Sequence, residues 1–232
     1  MPDDEERSSL RGWLSRVGAS LTGAGEDIQP AGPGADAAHL SKALPRFFAA
    51  MQTRPAPVLL DLGPVIGGNV TLLGESLGCK VYIENVFGDP SRAAADRRQR
   101  EDCSSLGIEL RHPDDSIDGV LCWDVFEHLS QAAAAKLVLN LVRILKPGGV
   151  GMAIFSTERP PHPQFVTYSM IDKQHLRHRV TPAAVPQPRV WTSRDVQLLL
   201  TSFAADESYL LTHRQRETLF HKPALSGHRP QA

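Results

Sequence analysis

Apolar and polar positions change period repeatedly between Ala38 and Pro223, and each change marks an element. HLSKALPRFFAAMQ (39–52) repeats apolar residues at helical spacing and predicts a helix. PVLLDLG (57–63) is a short apolar run closed by glycine, the pattern of a strand buried on both faces. NVTLLGESLG (69–78) returns to helical spacing, and CKVYIEN (79–85) reads as a second strand. A polar helical stretch from about Ser91 to Ser105, a weak short strand near Ile108 and a clear strand, DGVLCWD (118–124), follow. The next helix opens on Ser130 as its cap and sends Leu137, Val138, Leu141, Ile144 and Leu145 toward a core. LKPGG stops it, because Pro147 cannot continue a helix, and Gly148 and Gly149 permit a tight turn before the strand VGMAIFS.

The last third changes character. A Pro- and His-rich stretch, 159–190, reads as a loop; a capped helix, TSRDVQLLLTSF, comes next, and SYLLTHR and ETLFHKP read as an antiparallel hairpin. Strands alternating with helices at this spacing imply right-handed crossovers. The predicted fold class is α/β, a Rossmann-like doubly wound sheet of about seven strands, mostly parallel with a C-terminal antiparallel hairpin strand. Residues 1–38 are too poor in apolar side chains to bury a core and are predicted disordered, apart from a short amphipathic helix carrying Leu10, Trp13, Leu14, Val17 and Leu21 on one face. The folded domain is placed at 39–225, with a second disordered tail at 226–232.

Charge narrows the function little. The 25 basic and 26 acidic residues nearly cancel, which gives no argument for a nucleic acid partner and leaves small molecules as the natural substrates. Cys79, Cys103 and Cys122 are odd in number, and two of them sit in or beside stretches that read as buried strands, as reduced core thiols of a cytoplasmic protein do. MPDDEER is acidic where a secretory signal is basic, and no apolar run is long enough for an integral membrane segment. The run RRQR (97–100) reads as the solvated face of a helix.

Candidate chemistry begins at VLLDLGPVIGGN, an apolar strand running into a glycine-containing turn and a helix. In open α/β sheets ligands bind at the carboxyl ends of strands, where glycine lets the backbone approach them. Glu84 ends the next strand, where an acid can accept both hydroxyls of a ribose. SIDGVLCWDVFEHL, followed at the family's spacing by LKPGG, resembles the class I S-adenosylmethionine-dependent methyltransferases, in particular their small-molecule, type 11-like group. The resemblance is strong over about residues 57–156 and looser through the hairpin.

The resemblance implies that Asp61, Gly63 and Gly67 answer to the acid, first glycine and third glycine of a DxGxGxG turn. Val65 replaces the middle glycine and Pro64 removes a donor beside it, so a narrowed pocket or a shifted turn is expected, with Gly68 as relief. It further implies S-adenosylmethionine as cofactor, held by Asp61, Gly63, Pro64, Gly67, Glu84, Asn85, Trp123 and Asp124. Glu84 would take the ribose, and Trp123 and Asp124 would flank the methionine portion. Ser104, Ser105 or Glu109 stands where the family recognises adenine. His128 and Tyr168 are the candidate catalytic residues, with His162 a third candidate base; a base is required only when the acceptor's pKa lies above ambient pH.

Asp124, Glu127 and His128 are spaced as a divalent-ion set in some relatives, but EHL is so widespread in the family that the favoured reading is no metal. The 159–190 loop falls where the family places its substrate lid. The implied activity is methyl transfer to a small-molecule acceptor. The alternative is a catalytically inactive methyltransferase-like binding or scaffold protein. An NAD-dependent oxidoreductase shares the logic of the first half but fits LKPGG and the hairpin poorly.

Overall fold

The computed structural model describes residues 38–86, 108–182, 189–212 and 214–224. The amphipathic N-terminal segment, the polar stretch Ser91–Ser105 with Cys103, and the RRQR run lie outside them, as do both predicted tails apart from Ala38.

Along the chain come β1 (Ala38–Leu40), α1 (Leu44–Gln52), β2 (Val58–Asp61), α2 (Gly67–Leu77), β3 (Lys80–Ile83) and β4 (Ile117–Trp123). A 3-10 turn (Val125–His128), α3 (Gln131–Ile144), β5 (Leu145–Ser156), β6 (Gln164–Met170), β7 (His175–Pro182), α4 (Ser193–Leu199), β8 (Ala204–Leu210) and β9 (Gln215–His221) complete it. Six strands form one sheet in the order β3-β2-β4-β5-β9-β8. β3, β2, β4 and β5 run parallel, whereas β9 pairs antiparallel with both β5 and β8. The chain therefore folds as the Rossmann-like, mostly parallel sheet with a closing antiparallel hairpin. The order turns back between β2 and β4, and in such sheets the crevice for a ligand opens at that switch point.

Alternation along the strands sorts the core onto the two faces. Leu60, Val120, Cys122 and Phe155 pack with Leu137, Leu141 and Ile144 of α3 and with Trp191. Leu59, Leu121, Met152 and Ile154 pack on the other face with Phe47, Phe48 and Met51 of α1 and with Tyr168 of β6. Every residue of β4 is buried, as a central strand covered on both sides requires. Ser130 caps α3 by accepting from the Ala133 amide at 3.2 Å, and Thr192 with Asp195 forms a capping box on α4.

The strand expected to start after LKPGG starts at Leu145, so LKPGG belongs to β5 rather than to a turn before it. The helix predicted from His39 begins only at Leu44: residues 38–40 pair with β7 as β1. The buried Glu217 carboxylate of β9 accepts from the amides of Lys42 and Ala43, which holds the start of α1 through a contact 174 residues distant. Among the described residues no strand forms at Ile108–Leu110. Ile108 and Leu110 bury themselves there, and the Arg143 guanidinium takes the carbonyls of Leu110 and His112, so these groups are satisfied without a ladder. Among the described residues the main sheet has six strands where about seven were predicted.

The predicted 159–190 loop is in part a sheet. It contains β6 and β7, which join β1 in a separate antiparallel sheet of order β1-β7-β6. Leu176 is buried while Arg177 and Arg179 are exposed, so the arginines of HLRHRVTP occupy the outer face of a strand.

Candidate functional site

The tips of β2, β3 and β4 converge at the switch point on a narrow cleft of about 340 Å³, open solvent included. Gly63, Pro64 and Ile66 line it from the turn after β2, Asn85 from the end of β3, Trp123 and Asp124 from β4, and Phe165, Val166 and Tyr168 from β6. The sequence-predicted residues Gly63, Pro64, Asn85, Trp123, Asp124 and Tyr168 thus meet in one place.

Asp61 organises the turn from below. It is 2 % exposed, and its Oδ1 accepts from the Gly63 amide at 2.9 Å and from Trp123 Nε1 at 2.7 Å. Burial raises its carboxyl to about 6 against the lowering effect of these two donors. The indole lies directly on Gly63: a Cβ there would come within 2.7 Å of Trp123 Cδ1. No ligand arm passes between Gly63 and the indole in this conformation. Val65, expected to narrow the pocket, is 65 % exposed and points away. The obstruction comes from Trp123.

Glu84 has the opposite setting. Its amide extends the ladder by donating to the Asp61 carbonyl at 2.9 Å, and its side chain remains 40 % exposed. One carboxylate oxygen is 2.9 Å from His112 Nε2, and the imidazole in turn packs against Tyr82. Nothing in the local pattern of RHPDD marks His112 as a partner of Glu84, because the two are 28 residues apart in sequence. Gly67 and Gly68 open α2, with clear space where a Cβ would stand. Ile66, which lines the cleft, offers α2 no side-chain cap, so the first amides of the helix gain no partner from it.

The DVFEHL segment turns its polar groups in different directions. Glu127 is buried and accepts from both the amide and the hydroxyl of Ser156, tying the 3-10 turn to the end of β5. Burial first, and the charge of Asp124 second, raise its carboxyl to about 7. His128 Nε2 is 3.4 Å from Asp124 Oδ2, and its ring packs on Phe165, one layer behind the cleft wall. Among the described residues no set of three His, Cys, Asp or Glu side chains is arranged to hold a metal ion.

Tyr168 enters by its ring, stacked on Trp123 at 5.5 Å with an interplanar angle of 4°. Its hydroxyl accepts from Gln215 Nε2 at 3.0 Å, and burial raises its pKa well above the usual phenol value, which disfavours a role as a base. His162 is exposed on the segment leading into β6. Of the adenine candidates, Glu109 is exposed, and Ser104 and Ser105 lie outside the described residues. Beyond Tyr168 and Gln215 lies a second hollow of about 680 Å³, solvent included, with Ser156, Arg159, His178 and Arg214 on its walls.

Asn69 of α2 supplies a feature with no mark in the sequence. It donates from Nδ2 to the Tyr168 carbonyl at 3.0 Å and accepts at Oδ1 from the Met170 amide at 2.7 Å.

A family profile described as a methyltransferase domain matches residues 35–201. No curated protein matches the chain by sequence. Among solved structures, the chain is similar to a 1,6-didemethyltoxoflavin N1-methyltransferase of Burkholderia thailandensis. Identity is 16 % over 96 % of this chain and 92 % of that one, with a TM-score of 0.45. It is also similar to an S-adenosylmethionine-dependent methyltransferase of Methanosarcina mazei, at 13 % identity over 74 % and 95 % of the two chains, TM-score 0.41. A phosphoethanolamine N-methyltransferase of Haemonchus contortus shares 15 % identity over 77 % of this chain and 52 % of that one, TM-score 0.49. No helix among the described residues is long and apolar enough to cross a membrane.

Proposed function

The chain belongs to the methyltransferase-domain family, and from that premise we propose that it transfers a methyl group from S-adenosylmethionine to a small-molecule acceptor. One observation carries the cofactor assignment. At the switch point an exposed carboxylate, Glu84, stands beside a helix that starts on Gly67 and Gly68 without a side-chain cap. A carboxylate accepts the two hydroxyls of a ribose, and free helix amides suit the carboxylate end of the cofactor. Gly63, Pro64 and Asn85 would supply backbone-lined wall, Asp124 would face the amino-acid portion, and Asp61 would hold the turn.

The cofactor supplies a sulfonium-activated methyl group, so the protein's task is chiefly to orient the acceptor. His128, beside Asp124, is the candidate base for an acceptor that must lose a proton. Tyr168 would contribute its ring. The cleft in its present conformation does not fit the cofactor's sulfonium arm, because Trp123 rests on Gly63. That same observation favours the second reading, a methyltransferase-like binding protein without catalysis.

Calorimetry with S-adenosylmethionine and S-adenosylhomocysteine tests the proposal. Saturable heat at micromolar concentrations is the expected result. Folded protein giving no heat at millimolar cofactor would refute it, and binding without turnover on a broad panel of acceptors would favour the second reading.

A further inference from the structure

Trp123 has φ +48°, in the left-handed region that a bulky side chain seldom adopts. The β4–β5 ladder shifts register between Leu121 and Trp123, so the strand loses regularity where it turns this residue inward. Backbone strain of this kind persists only when surrounding groups over-determine it, and it concentrates at functional sites. Here the groups are explicit. Asp61 holds the indole N–H, Tyr168 stacks on the ring, and Gly63, having no Cβ, leaves room for the ring against its backbone. Asp61 and Gly63 are also the residues that the cofactor reading places at the mouth of the turn. The ring is only 4 % exposed, so no ligand reaches either group while it stays there.

We propose that the indole of Trp123 occupies the place of the cofactor's sulfonium arm, and that the cofactor seats by displacing the ring from Gly63 and breaking its hydrogen bond to Asp61. Trp123 then sets cofactor affinity, because only the fraction of molecules with the ring displaced is competent to bind. The inference rests on the S-adenosylmethionine reading above.

The test measures S-adenosylhomocysteine binding by calorimetry, together with tryptophan emission, in wild type, Trp123→Phe and Trp123→Ala, each shown folded by circular dichroism. Trp123→Phe keeps an aromatic ring for Tyr168 but loses the N–H to Asp61; Trp123→Ala empties the notch. The expected result is affinity at least fivefold tighter in Trp123→Ala and intermediate in Trp123→Phe. Saturating ligand should shift the emission of wild type and leave that of Trp123→Phe, which retains Trp13 and Trp191, unchanged. Weaker binding by both variants, or wild-type binding with unaltered emission, would overturn it and make the indole a fixed wall of a working site. Absence of binding in all three folded proteins would remove the methyltransferase reading as well.

Discussion

Asp61 and Glu84 are two acids at the tips of neighbouring parallel strands, one ladder step apart, and they live in opposite surroundings. Asp61 is sealed and accepts from two buried donors, whereas Glu84 reaches solvent with a single imidazole beside it. The sequence shows the same thing twice, an apolar strand ending in a carboxylate. Enclosure divides the labour: the sealed acid holds the architecture, and the open one retains the capacity to accept new hydrogen bonds.

The largest expected effect follows from removing the sealed acceptor. Asp61→Ala strands the Trp123 N–H and the Gly63 amide, and should cost about 2–4 kcal/mol in chemical denaturation. Asp61→Asn keeps an acceptor oxygen and should stay within about 1 kcal/mol of wild type. Equal losses in the two variants would mean that charge, and not the acceptor, is what matters at this tip.

Glu127 sharpens the same contrast through pH. Its carboxyl is raised from 4.5 to about 7 by burial, so the folded state holds the proton more tightly than the unfolded chain does. This group's contribution to stability is therefore full below pH 4.5 and is lost as pH rises through about 7. The stability of wild type relative to Glu127→Gln should fall between pH 5 and pH 8, by up to about 3 kcal/mol. The subtraction cancels His221, whose lowered pKa gives the opposite trend on the acid side of its ordinary range. A flat difference would show that Glu127 is not in a sealed environment.

For the open acid the expected pattern reverses. Glu84→Ala should change stability by no more than about 0.5 kcal/mol, since its partner is a part-exposed histidine, but should weaken S-adenosylhomocysteine binding about tenfold, or 1.4 kcal/mol, by calorimetry. A destabilised variant with unaltered affinity would erase the distinction between the two tips. The smallest effect belongs to Val65→Ala, which should alter affinity less than about twofold, because single exposed side chains away from a site contribute little.

What the sequence disclosed and what it hid divide along contact range. The strand ending at Asp61, the Ser130 cap and the closing hairpin were legible because periodicity, capping hydroxyls and turns act over a few residues. β1 was not: Ala38–Leu40 takes its conformation from β7, more than a hundred residues away, and local helical spacing masked it. The β6–β7 pair was hidden by composition, since the arginines on its outer face resemble a polar connector. At the site, the cluster itself was legible, but its internal arrangement was not. Val65 drew attention as the odd residue in a glycine motif, yet it faces solvent, while Trp123 owes its pose to Asp61, Gly63 and Tyr168 together.

The bridge from Asn69 has a consequence for how small molecules could reach the switch point. A carboxamide that meets one peptide carbonyl and the amide two residues on imitates a rung of β-ladder, and it rivets the helix after the glycine turn to the small sheet above. That sheet cannot lift away as a hinged cover without shearing the rivet. A guest at the switch point would therefore have to come and go with that cover still fastened.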